Sequence, residues 1–121
     1  MAVKDLFKQH YETGEHAVEK SLMTHYYKNN VKQAKEAVIE VGNTLGFNVK
    51  FEDDDRLELM LSRRDAEIIV SMVKITPIET AIDFTANTEQ LITFGKGKKL
   101  IASMYEGLNQ KLSFKGQALK R

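Results

Sequence analysis

Residues 47–85 carry four successive stretches in which apolar and polar side chains alternate. They are framed by two segments of helical period, and nothing else in the chain restricts its fold as strongly. Alternation sends neighbouring side chains to opposite faces of a strand. Phe47, Val49 and Phe51 alternate with Asn48, Lys50 and Glu52; Leu57, Leu59 and Leu61 alternate with Glu58, Met60 and Ser62. Residues 66–75 and 78–85 continue the pattern. Connections this short join antiparallel neighbours, so the four strands form a meander.

Directly opposed residues of an antiparallel pair share a face, and this predicts the registers. Phe51 opposes Leu57 and Glu52 opposes Arg56, with Asp53, Asp54 and Asp55 as a three-residue loop. A connection through Arg63 and Arg64 sets Leu61, Leu59 and Leu57 beside Ala66, Ile68 and Val70. A loop of Ile75, Thr76 and Pro77 sets Met72 against Thr80, Val70 against Ile82 and Ile68 against Phe84. One face is then almost wholly apolar.

Two helices are available to cover that face. In 30–45, Val31, Ala34, Val38, Val41 and Leu45 fall on one stripe, Asn30 suits an N-cap and Gly46 a left-handed terminator. In 98–112, Ile101, Met104, Leu108 and Leu112 point inward, although Gly107 costs about 1 kcal/mol relative to alanine. The segment 1–28, with Val3, Leu6, Phe7, Tyr11, Val18, Leu22, Met23 and Tyr26, reads as helical with a break near Gly14. Pro77 is the only proline, and neither a linker nor a repeat divides the chain. The expectation is a single two-layer α+β domain over 1–121: a four-stranded antiparallel meander within 47–86, helices packed on one face, and an N-terminal helical segment.

Composition narrows the function classes. A hydrophobic share of 42% with a formal charge of +1 argues against disorder. No run of about 18 apolar residues is present to span a bilayer, and the mixed charges of residues 1–16 lack the apolar core of a signal peptide. With no cysteine, disulfides, thiolate metal sites and thiol nucleophiles are excluded. A soluble, cytoplasmic protein without a cofactor is expected.

The other sheet face is not cleanly polar. Met60, Ile69, Val73, Ile75 and Ala81 lie there among Ser71, Asp83 and Thr85, where a solvated antiparallel sheet alternates more strictly. Either the N-terminal segment or a second copy of the protein is needed as a cover. These five residues are the expected interface of a non-catalytic, self-associating binding module. Asp83, if covered, would have a raised pKa; uncovered, it is an ordinary strand carboxylate.

The alternative function is a small apolar ligand or substrate held between helices and sheet. Phe47, Phe51, Met72, Ile82, Phe84 and Met104 would line that cavity, and Tyr105 or Thr80 would supply a polar contact. A third reading uses the basic end, since residues 95–121 carry seven basic and one acidic side chain, a net +6. There Lys96, Lys98 and Lys99, beside Gly95 and Gly97, suit an anion. Lys111, Lys115, Lys120 and Arg121, with Tyr105 and Phe114, suit nucleic acid. Whole-chain neutrality and the lack of a recognition motif weigh against nucleic acid.

The remaining motifs have plainer readings. His10, His16 and His25 are not spaced as metal ligands on a helix, and neighbouring Glu12, Glu15 and Glu19 suit surface ion pairs. Asp53, Asp54 and Asp55 lack the glycine and bidentate glutamate of a calcium loop and fit turn chemistry. No serine stands in a nucleophile-elbow context.

Overall fold

The computed structural model describes residues 8–13, 23–89 and 96–117. Strands β1 (Lys8–Glu12) and β2 (His25–Tyr27) precede helix α1 (Val31–Thr44). Strands β3 (Asn48–Asp53), β4 (Glu58–Arg63), β5 (Ala66–Thr76) and β6 (Glu79–Glu89) follow, then helix α2 (Lys96–Lys111) and strand β7 (Phe114–Gln117). All strand pairs are antiparallel and form one sheet in the order β3-β4-β5-β6-β2-β7, with β1 also on β6. The α+β architecture and the antiparallel hairpins of 47–86 are as the sequence predicts. Among the described residues, however, the sheet has seven strands, not four.

The three added strands replace helix and loop. Within the expected N-terminal helical segment, 8–12 and 25–27 are strands; residues 1–7 and 14–22 lie outside the described residues. His25, Tyr26 and Tyr27 are all buried, so β2 shows no alternation for a period-2 reading to detect. Both β1 and β2 line the same edge of β6, β1 beside 85–89 and β2 beside 80–82. Long-range pairing to an available edge overrides a weak local helical pattern there.

Three registers also differ from expectation. In β3 a bulge makes Val49 oppose Leu61 and Phe51 oppose Met60, which turns Phe51 onto the face away from the helices. The turn is four residues, 54–57, because the Asp53 carboxylate accepts from the N–H groups of Asp55 and Arg56 and Leu57 takes a left-handed φ of 56°. The β4–β5 turn falls on Arg64 and Asp65, so Leu61 opposes Ile68 and Leu59 opposes Val70. In β5–β6 the turn tightens to Pro77 and Ile78, closed by the Ile78 N–H donating to Thr76 Oγ1, and Met72 opposes Ile82. Each of these last two pairings slips by two residues, a full strand period, so the face assignments survive as far as Lys74; a second bulge between Lys74 and Thr76 leaves Ile75 without a directly opposed residue.

Both helices behave as their end signals require. Asn30 accepts from the Gln33 N–H at 2.8 Å while Gln33 Oε1 accepts from the Asn30 N–H at 3.2 Å, a reciprocal cap. Gly46 ends α1 with φ 90°. Arg63 then seals that end: its Nη1 donates to Leu45 O at 2.7 Å and its guanidinium lies 4.7 Å from the Phe47 ring. In α2, Gly107 is explained by contact. A Cβ there would lie 2.7 Å from Val41 Cγ1, so the glycine lets the two helices meet closely. Beneath them Val38, Phe47, Leu59, Ile68, Ile82, Phe84, Met104 and Leu108 form one contiguous buried core.

Candidate functional site

The face opposite the helices is ordered into rows by the strand registers. One row is Phe51, Met60, Ile69 and Thr85; the next is Asp53, Glu58, Ser71 and Asp83. On the other side of the apolar row stand Ser62, Glu67 and Asn87, and Lys50 joins them through its ion pair to Glu67 at 3.1 Å. Beyond the acidic row, Val73 opposes Ala81 and Ala81 opposes Tyr26. Phe51 is 55% exposed, Val73 53% and Ile75 45%, while Met60 and Ile69 are half-buried. Ala81 is only 5% exposed within its own chain, which leaves the other four expected interface residues, together with Phe51, to meet anything outside. The N-terminal residues expected as a possible cover fall partly outside the described residues.

Asp83 closes a seam in this face. Its Oδ1 accepts from Thr13 Oγ1 at 2.6 Å and Thr24 Oγ1 at 2.7 Å, where β1 leaves β6 and β2 takes over the same edge. Thr13 Oγ1 in turn accepts from the Phe84 N–H at 2.8 Å. Two hydroxyls on one carboxylate oxygen pin the interrupted strand on both sides of the break.

The helix side holds the densest polar group. His25, 6% exposed, stacks on the Tyr105 ring with centroids 3.6 Å apart, and Phe114 lies 4.8 Å away. Gln117 Nε2 sits 3.2 Å from His25 Nε2, and His25 Nδ1 sits 3.3 Å from Tyr27 Oη, which donates to Asn109 Oδ1 at 2.6 Å. The donors run in one direction when the imidazole is neutral and carries its proton on Nδ1. Burial lowers the His25 pKa to about 4, partly offset by hydrogen bonding to Asn109. Burial also pushes the Tyr27 and Tyr105 phenols up, and Tyr105 Oη donates to Ile82 O at 2.8 Å. Ring nitrogens and hydroxyls are thus satisfied by one another, which locks β7 onto β2. Sequence reasoning missed this cluster because β2 and β7 were not read as strands; the aromatic run at 25–27 was its only local signal.

The residues expected around an apolar cavity divide. Phe47, Met72, Ile82, Phe84, Met104 and Tyr105 are buried together in the core, whereas Phe51 is on the opposite face. Thr80 is buried, and its hydroxyl donates to Asn29 O at 2.8 Å. An open groove lies elsewhere, between the helices, lined by Val41, Leu45, Ser103, Glu106, Gln110 and Lys111. Lys96, Lys98 and Lys99 form the first turn of α2, with Lys99 exposed; Gly95 is outside the described residues. Lys111 pairs with Glu40 at 2.6 Å and Lys115 with Glu79 at 3.0 Å, and Tyr105 is buried, so these groups do not present one basic aromatic surface. Lys120 and Arg121 lie outside the described residues, as does His16.

No protein-family model matches this chain, and no curated protein matches it significantly. Among the described residues, no helix is long and apolar enough to cross a membrane.

Proposed function

We propose that the protein is a non-catalytic interaction module that binds a second copy of itself through the sheet face opposite the helices. The carrying observation is the exposed apolar row and its outliers: Phe51, Val73 and Ile75 each keep about half their surface in water. Fully burying such a side chain is worth roughly 1.5–3 kcal/mol, so a partner surface gains substantially from covering the set. A second copy fits because the chain is close to neutral, at +1, and two copies therefore do not repel strongly. The buried His25 and Tyr27 belong to the scaffold, since the imidazole nitrogens and the Tyr27 hydroxyl are held by one another, Asn109 and Gln117.

Sedimentation of the wild type and of Phe51→Lys tests this reading. The wild type is expected to sediment as a dimer at micromolar concentration. Phe51→Lys is expected to sediment as a monomer with an unchanged circular-dichroism spectrum, since its side chain leaves the core untouched. A monomeric wild type rejects the reading.

A further inference from the structure

The rows on the open face also determine how two copies would be oriented. We infer that they stack face to face with the two-fold axis perpendicular to the strands, running along the Phe51–Met60–Ile69 row; this rests on the self-association proposed above. Stacked sheets lie about 10 Å apart, and an isologous contact must place the same surface on itself under a two-fold operation.

Charge separates the possible operations. An axis parallel to the strands lays each row, reversed, on its own counterpart, so the row of Asp53, Glu58 and Asp83 faces the partner's acidic row. An axis perpendicular to the strands but centred on the Ser71 row does the same. Centring it on Val73 lays the acidic row over apolar Ile75 and leaves Phe51 open. Centring it on Phe51–Met60–Ile69 stacks apolar on apolar and lays the acidic row over the partner row of Ser62, Glu67 and Asn87: Glu58 comes over Ser62, Ser71 over Glu67, and Asp53 over the strand that carries Lys50, whose side chain is 58% exposed and pairs with Glu67. Like charges brought together cost several kcal/mol whereas opposite charges fix the register, so this last arrangement is the one the face supports.

The absence of cysteine makes the geometry directly testable, because any introduced thiol is the only one in its chain. Wild-type sedimentation comes first. A monomer there removes self-association itself and this orientation with it. Given a dimer, single-cysteine variants are treated with a short bis-maleimide. Met60→Cys and Ile69→Cys are expected to give covalent dimers in high yield. Glu58→Cys and Ser62→Cys are expected to give little alone and to cross-link when the two variants are mixed. Strong self-linking of Glu58→Cys, or of Val73→Cys, would instead overturn the orientation while leaving the dimer intact. In parallel, Lys50→Glu is expected to weaken the dimer about tenfold, since it sets a carboxylate over the partner's Asp53. An unchanged dissociation constant for Lys50→Glu overturns the charge argument.

Discussion

The two faces of strand β5 are built from similar residues and do different work. Ile68, Val70 and Met72 face the helices and are almost completely enclosed; Ile69, Val73 and Ile75 point the other way and range from half-buried to exposed. Hydrophobicity alone does not separate them. Enclosure does: α1 and α2 pack on one side, and among the described residues no helix packs on the other. The helix side also carries its polar groups in a closed hydrogen-bonded set around His25, whereas the open side spreads Asp53, Glu58, Lys50 and Glu67 in rows. One face is an interior and the other is a surface with an interior's residues.

The contrast is most easily broken by truncation. Phe84→Ala removes a side chain enclosed between sheet and α2 and is expected to cost about 3–5 kcal/mol, read from the midpoint of urea unfolding. A loss under 1 kcal/mol would mean that the helix side is not tightly packed.

Acid should distinguish the faces next. Folding lowers the His25 pKa from 6.5 to about 4, so between those values the unfolded chain takes up a proton that the folded chain refuses. Stability should be full above pH 6.5 and fall as the pH drops toward 4, by up to roughly 3 kcal/mol. His25→Phe should flatten that part of the pH profile, which urea titrations at successive pH values would reveal. An equal slope in both proteins would place the acid sensitivity elsewhere.

Smaller effects sharpen the comparison. Thr24→Val keeps the shape but deletes one hydroxyl from Asp83, with an expected loss of about 2 kcal/mol, as befits a hydrogen bond to a charged group. Thermal unfolding checks it, and an unchanged midpoint would mean the seam is not held by that contact. On the open face, Ile75→Thr should change monomer stability by no more than about 0.5 kcal/mol in urea at a concentration too low for association. A larger loss would show that Ile75 is packed by its own chain.

Legibility in the sequence followed the strength of local signals. Helix α1 was readable to its ends because Asn30 and Gly46 mark them chemically, and β4 and β5 were readable because a long alternation cannot be satisfied any other way. Strands β1, β2 and β7 are short and owe their existence to edges supplied by β6 and β2, which no local pattern announces. Alternation puts Phe51 on the wrong face for a single reason: one extra residue in a strand reverses every side chain beyond it, and a bulge has no required sequence. Alternation marks the open face as apolar through Met60, Ile69, Val73 and Ile75, but it places Phe51, the most exposed large apolar residue in the described strands, in the core.

Periodicity by itself determined the class of the domain, the two helices and which side of β4, β5 and β6 turns inward, because a shift of two residues leaves faces unchanged. Tertiary structure decided the turn lengths, the bulge at Lys50, the shared edge of β1 and β2, and the meeting of His25 with Tyr105, Asn109 and Gln117. The shared edge and the His25 cluster depend on backbone groups and side chains from distant parts of the chain finding hydrogen-bond partners where burial excludes water, whereas the turns around Asp53 and Thr76 are closed by exposed local bonds.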